Sequence, residues 1–190
     1  MVMEGRIGPA YVLNRLRQET GAAHRRLEQR FDAVAELQDP SLRPAAIARF
    51  AALYSSAHAA LAAELEPVEG LEYSRRIHAW RAARPELLPS GPSINFSIPA
   101  GRHEALGAFY VVEGSTLGGR VILRELSARG VADPALRFLD PYGPDAGSMW
   151  RSLLAVLERE GAEPDHVAAM CRGASHAFAH AERVFCGEVN

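Results

Sequence analysis

Two side chains near the start of the chain have the types and spacing needed to hold a metal-containing ligand. His24 lies within an apolar stripe that recurs at three- and four-residue steps, which predicts a helix. Arg17 precedes it by two helical turns, roughly 10 Å along the axis, on a neighbouring face. An imidazole binds a metal and a guanidinium binds carboxylates, so the pair suits a planar metal chelate with acidic side arms.

A second histidine has an equal claim on helical geometry. His58 lies inside the apolar stripe of the next predicted helix, so periodicity does not choose between His24 and His58 as a ligand. A histidine in such a stripe is also compatible with a hydrogen-bonded core residue, and Arg17 is compatible with an exposed arginine. The nearby guanidinium is the feature that favours His24.

The stretch FYVVEGSTLGGRVI, residues 109–122, is helical in pattern at both ends but carries three glycines in its middle. Each interior glycine costs about 0.5–1 kcal/mol of helix stability relative to alanine. On a helical wheel one side is almost bare backbone, formed by Gly107, Val111, Gly114 and Gly118, with Ser115 and Gly119 beside them. Either a flat, bulky ligand or a closely packed neighbouring helix should lie against this side.

The elements that position these residues are all helical in pattern, with no alternating β pattern of useful length. The apolar periodicity predicts helices over Tyr11–Phe31, Pro44–Glu66, Leu71–Arg84, Arg102–Arg129, Ser148–Glu160 and Asp165–Phe185. Proline- and glycine-rich connections are predicted at 87–101 and 131–147. The sequence therefore predicts one all-α domain over residues 1–190, with residues 1–10 as a flexible N-terminus.

Composition narrows the classes of function. Of the 190 residues, 48% are hydrophobic and 23% charged, which is typical of a soluble globular protein. A net charge of -2 argues against a nucleic-acid binder, and two isolated cysteines suggest neither a zinc site nor a disulfide framework. No apolar run approaches the ~20 residues of a membrane span, and the first residues lack the pattern of a secretion signal. We expect a cytoplasmic protein.

Seven other basic side chains and histidines are predicted to lie on solvated faces. These are Arg75, Arg76, Arg81 and Arg84 on one helix, and His166, His176 and His180 outside the apolar stripes. Nucleophilic catalysis has weak support, because Ser115 lies in a helical pattern and the chain has no GxSxG motif.

Two motifs resemble the bacterial heme oxygenase family, and most closely its members that supply biliverdin to bacteriophytochromes. The first is Leu16-Arg-Gln-Glu-Thr-x-x-x-His24-x-x-x-Glu28, and the second is Tyr110-x-x-Glu-Gly-Ser-Thr-Leu-Gly-Gly119. The later Phe138-Leu-Asp-Pro-Tyr-Gly143, Met149-Trp150, Phe178 and Phe185 are also similar to that branch. The resemblance extends from about Leu13 to Phe185.

The resemblance implies a heme oxygenase-like helical bundle with heme b between a proximal helix and a kinked distal helix. His24 would be the proximal iron ligand. The distal helix would cover the other face of the heme with the run that holds Gly114, Ser115, Gly118 and Gly119. By the same resemblance, the heme propionates would meet Arg17, Tyr110 and, by a looser match, Arg151.

The chain departs from part of that family at one distal position. Mammalian members have an aspartate directly after the first distal glycine, whereas this chain has Ser115. The resemblance therefore implies proton delivery through ordered water and backbone groups.

The implied reaction converts heme, dioxygen and electrons into biliverdin, carbon monoxide and ferrous iron. A separate reductase or ferredoxin is expected to supply the electrons, because the chain has neither a dinucleotide-binding glycine motif nor the cysteines for an iron–sulfur cluster. A bacteriophytochrome is a possible acceptor of biliverdin.

Two alternatives remain open from the sequence. One is a non-enzymatic heme carrier or sensor on the same fold, and the other is a di-iron or cofactorless oxidase of a related helical fold. The second alternative needs several inward carboxylates, but Glu113 falls on the far side of the wheel from Gly114 and Gly118.

Overall fold

The structure is a computed structural model that describes residues 10–83, 95–97 and 101–187. These residues form seven α-helices and no strand, which confirms the all-α prediction. The helices are α1 (Tyr11–Arg30), α2 (Ala33–Gln38), α3 (Arg43–Leu65), α4 (Tyr73–Ala83), α5 (Arg102–Ala128), α6 (Ala146–Glu160) and α7 (Pro164–Cys186). Most of the predicted N-terminal segment and of the predicted loop 87–101 lies outside the described residues.

Local sequence explains where several helices begin and end. Asp32 accepts a hydrogen bond from the Ala35 amide and so starts α2, a short helix that the periodicity did not predict. Gly130, with φ of 80°, ends α5 as predicted, and the next amide donates back to the Leu126 carbonyl. The predicted irregular connection 131–147 contains two short 3-10 helices, Pro134–Leu139 and Gly143–Asp145.

Helix α7 packs against both α5 and α1 and thereby sets their separation. The backbones of α5 and α7 approach each other closely because a glycine on each helix faces the backbone of the other. A Cβ at Gly107 would lie 1.8 Å from the Met170 carbonyl oxygen, and one at Gly173 would lie 1.9 Å from the Glu104 carbonyl oxygen. Only glycine permits this approach. Among the helices formed by the described residues, none has the length and apolarity to cross a bilayer.

The prediction that Arg76 is solvated is wrong. Arg76 is 1% exposed, and its Nη1 donates a hydrogen bond of 2.7 Å to Glu113 Oε2. Its Nη2 donates to the Met149 carbonyl oxygen at 2.8 Å, and the Tyr142 hydroxyl donates to the other oxygen of Glu113 at 2.6 Å. The wheel of one helix does not reveal that a buried carboxylate on α5 pairs with this guanidinium. Arg75 and Arg81 are exposed as predicted, and Arg84 lies outside the described residues.

The prediction that His180 is solvated is also wrong. His180 is 0% exposed, its Nε2 lies 3.1 Å from the Ser56 hydroxyl, and its ring meets the edge of Phe96. Burial and, to a smaller extent, the neighbouring Arg183 lower the pKa of His180 to about 4. Because α1, α3 and α5 all pack on α7, more than one face of that helix is covered. His176 is exposed as predicted, and His166 is half-buried.

Candidate functional site

A cavity of about 540 Å³ lies between α1 and α5, a volume within the range of small-molecule and cofactor sites. Side chains from α3, α6 and α7 complete its walls. Much of the lining is aromatic or aliphatic, including Phe31, Phe50, Ile122, Trp150, Phe178 and Phe185. The few polar side chains are Arg17, Thr20, His24, Arg25, Glu28, Tyr110 and Ser115.

Most of the site residues predicted from the sequence meet in this lining. They are Arg17, His24, Tyr110, Gly114, Ser115 and Gly118. The structure does not bring Gly119 and Arg151 into it. A Cβ at Gly119 would lie 2.2 Å from the Leu139 carbonyl oxygen, so this glycine permits close packing of a connecting segment on α5. Arg151 is exposed, beside Gly147.

His24 is an accessible imidazole that contacts Glu28 and Phe178. Its side chain is 57% exposed, and Glu28 Oε2 lies 3.3 Å from Nδ1 across one turn of α1. The edge of the Phe178 ring meets the imidazole, with centroids 5.7 Å apart and an angle of 74° between the planes. A carboxylate beside Nδ1 leaves Nε2, the other ring nitrogen, as the one able to bind a metal. Glu28 belongs to the first motif, but its type and spacing alone did not identify this role.

His58 occupies a different environment. It is 7% exposed, lies outside the cavity lining, and packs against Tyr54 and Trp80. Burial lowers the pKa of His58 to about 4, with a further contribution from Arg81. The two histidines that helical periodicity could not separate are therefore separated by tertiary structure, because only His24 reaches the cavity.

The α5 wall of the cavity is bare at two glycines. A Cβ at Gly118 would meet nothing within 4 Å, and one at Gly114 would lie 3.7 Å from the Trp150 ring. Helix α5 is α-helical throughout, so the glycine run does not interrupt it. The hydroxyls of Ser115 and Thr116 donate to carbonyls one turn back, at 2.6 and 2.7 Å, a bonding pattern that often bends helices. The predicted kink stays a prediction.

Cationic and phenolic groups line another part of the cavity. The half-buried Tyr110 packs on Trp150, and burial raises the pKa of its hydroxyl while the neighbouring Arg17 guanidinium opposes that rise. Arg25 also lines the cavity, and its Nη1 would lie 3.5 Å from a Cβ at Gly21. Guanidinium and hydroxyl donors beside an apolar cavity suit a ligand with anionic substituents on an apolar body.

Tyr54 of α3 contacts the hydroxyl of Ser115, which lies beside Gly114 in the cavity wall. The Tyr54 hydroxyl lies 2.7 Å from Ser115 Oγ, and Tyr54 is 1% exposed. Burial raises the pKa of Tyr54 to about 12. Sequence reasoning missed this contact, because no spacing rule links residues on different helices.

In the described part of the chain, no three histidine, cysteine, aspartate or glutamate side chains lie close enough to hold a metal ion together. Of the described residues that line the mostly apolar cavity, His24 is the one histidine. That arrangement suits a metal whose other ligands belong to a macrocycle.

One curated protein gives a clear match. A protein of Xanthomonas campestris pv. campestris (strain 8004) named heme oxygenase is 35% identical over 116 residues, which cover 58% of this chain and 67% of the relative. Neither a protein-family model nor a solved structure matches the chain.

Proposed function

The chain belongs to the heme oxygenase family, and on that premise we propose that it cleaves heme to biliverdin, with release of carbon monoxide and ferrous iron. Dioxygen and electrons from a separate protein are the other reactants. One observation carries the proposal: an accessible histidine, His24, and the bare backbone of Gly114 and Gly118 line the same mostly apolar cavity. A flat macrocycle with a central iron needs both features.

The proximal side of the proposed site is α1. His24 Nε2 would hold the iron, while Glu28, 3.3 Å from Nδ1, would orient the imidazole ring. A neutral imidazole suits a family that oxidises its own heme, in contrast to the thiolate that favours early O–O cleavage. When bound, heme supplies both the iron that activates dioxygen and the ring that is oxidised.

Charged and phenolic side chains would orient the heme within the cavity. Arg17 and Tyr110 line it together, and their donors match the two oxygens of a propionate. Arg25 is a further candidate on the same helix. Arg151, exposed and outside the lining, would act only at the rim.

The distal side of the proposed site is α5. With no side chain at Gly118, the helix backbone can approach the macrocycle while leaving a small space for dioxygen. The surrounding phenylalanines and Ile122 exclude bulk water, which strengthens the remaining polar interactions. Ser115, next to Gly114 on this wall, supplies a hydroxyl that could order a water for proton delivery.

The reaction also requires proteins that this chain does not contain. We propose a separate reductase or ferredoxin as electron donor, docking where the heme edge nears the surface beside Arg17. The motif resemblance further suggests a bacteriophytochrome as a biliverdin acceptor.

Anaerobic loading with heme, followed by air and a reductant, tests the proposed activity. We expect the heme absorbance band to give way to a biliverdin spectrum. A heme band that persists would instead indicate a carrier or sensor. Oxidase activity with iron but without heme would indicate the di-iron alternative, for which Glu113 is poorly suited because it is paired with Arg76 and Tyr142.

Replacing His24 tests the proximal assignment. The variant His24→Ala should lose the imidazole-ligated heme spectrum and most of the turnover, and added imidazole should restore part of both. His176→Ala, which removes an exposed histidine of α7, is the matched control and should behave as the unmodified protein. Loss of the spectrum in His58→Ala but not in His24→Ala would reverse the assignment.

A further inference from the structure

We infer that Tyr54 is a positioning residue that makes the Ser115 hydroxyl a hydrogen-bond acceptor toward the cavity. Its consequence for turnover rests on the proposed function. The hydrogen bond itself is a property of the folded chain and is testable without heme.

The assignment of donors follows from two distances. Ser115 Oγ lies 2.6 Å from the Val112 carbonyl oxygen and 2.7 Å from the Tyr54 hydroxyl. A serine hydroxyl has one proton and two lone pairs, and a carbonyl oxygen can only accept. The Ser115 proton is therefore donated to Val112, and Tyr54 must donate its own proton to Ser115.

The state of Tyr54 agrees with its role as donor. Its hydroxyl is buried, and burial keeps it protonated by raising its pKa to about 12. The ring packs against both His58 and Trp80, with centroids 6.0 and 5.4 Å away. The phenol is thus a rigid donor that opposes rotation of the serine.

One lone pair of Ser115 then remains for the cavity. Ser115 can accept a hydrogen from a water or ligand there, but it can donate only by breaking its bond to Val112. A water bound at Ser115 would point one hydrogen at the serine and keep its other hydrogen and its lone pairs for the ligand. Ser115 therefore orients the source of a proton and does not supply the proton itself.

A double-mutant cycle in the protein without heme tests the hydrogen bond. Tyr54→Phe, Ser115→Ala and the double variant are compared by urea unfolding. We expect each single variant to lower the urea midpoint, and the double variant to fall short of the sum of the two losses. If the losses of stability in the two single variants add up in the double variant, the inference is overturned, whatever the heme activity. If the losses are coupled but the protein does not turn over heme, the result counts only against the proposed function.

A spectroscopic readout on the heme-loaded protein tests the direction of the effect. A lone pair on Ser115 accepts a hydrogen bond from a bound water and so favours water over hydroxide. Loss of that lone pair should therefore lower the pH midpoint of the acid–alkaline absorbance change. Ser115→Ala removes the lone pair and should lower this midpoint most. Tyr54→Phe removes only the donor that holds the serine in place and should lower it by less, and the double variant should match Ser115→Ala. An unchanged or raised midpoint in Tyr54→Phe would overturn the inference.

Tyr73→Phe is the matched control for both measurements. Tyr73 is a second buried tyrosine of this core, and its hydroxyl donates at 2.7 Å to the His58 carbonyl oxygen, away from the cavity lining. This variant should lose stability but keep the spectroscopic midpoint of the unmodified protein. A midpoint shift in Tyr73→Phe as large as that in Tyr54→Phe would show that any lost core hydrogen bond produces the effect, which would overturn the inference.

Discussion

Two regions of α5 use glycine for opposite reasons. At the α7 interface, Gly107 lies against the Met170 backbone so closely that a methyl group has no room. About three turns further along, Gly118 faces the cavity, where a methyl group would meet nothing within 4 Å. On a helical wheel the two glycines share one side, so the sequence presents them as a single feature. The comparison shows that an apparently continuous bare face can divide into a packing surface and a cavity wall.

The histidines divide in the same way. His58 and His180 are buried in the helix packing and have lowered pKa values, whereas His24 is exposed to the cavity. For both glycine and histidine, contact with other helices separates the residues used in packing from the residues that face the cavity. The predictions below test this division, beginning with the largest effect.

Filling the packing interface should damage the fold most. Gly107→Ala would place Cβ 1.8 Å from a backbone carbonyl oxygen that cannot rotate away. We expect the free energy of unfolding to fall by about 3 kcal/mol, at the upper end of overpacking effects. Urea denaturation measures this loss, and a change below about 0.5 kcal/mol would contradict the packing role.

Filling the cavity wall should affect heme more than folding. Gly118→Leu places a branched side chain in the open space at this wall, so we expect heme affinity to fall by about 1–3 kcal/mol, with turnover reduced as well. Heme titration followed by absorbance measures the affinity, and urea denaturation without heme is the control. Unchanged affinity and turnover would refute the close-approach role of Gly118.

Acid should destabilise the fold through the packing histidines. The folded pKa of His58 is about 4, below the ordinary value of 6.5, so the unfolded state binds more protons between these values. Its contribution is present above pH 6.5 and is lost as the pH falls from 6.5 toward 4, by up to about 1.4 kcal/mol per pH unit. Urea denaturation at several pH values should show a shallower slope in His58→Gln, whereas the exposed-site variant His176→Gln should keep it. Equal slopes in all three proteins would be inconsistent with a buried, neutral His58.

The smallest expected effect is a gain in stability. Gly118→Ala adds a methyl group in open space on a regular helix, so the free energy of unfolding without heme should rise by about 0.5–1 kcal/mol. Urea denaturation detects this gain. The opposite signs expected for Gly118→Ala and Gly107→Ala make the pair a direct test of the comparison, and a loss in both would erase the distinction between the two regions.

The sequence alone determined the helical architecture and predicted six of the residues that line the cavity, namely Arg17, His24, Tyr110, Gly114, Ser115 and Gly118. Apolar side chains at three- and four-residue steps define a buried helix face without reference to any partner, and the breaks at Pro44 and Gly130 are local effects of backbone conformation. His24 and Arg17 share one helix, so their separation along the axis also follows from the sequence.

Tertiary structure decided which face meets which neighbour. Four features depend on a second helix or connecting segment: the position of His24 inside the cavity lining and of His58 outside it, the packing role of Gly119, the burial of Arg76, and the bond between Tyr54 and Ser115. Periodicity specifies a direction around one helix axis and carries no information about what lies in that direction. A buried ion pair, a close backbone approach and an open cavity wall therefore look alike until the helices are packed together.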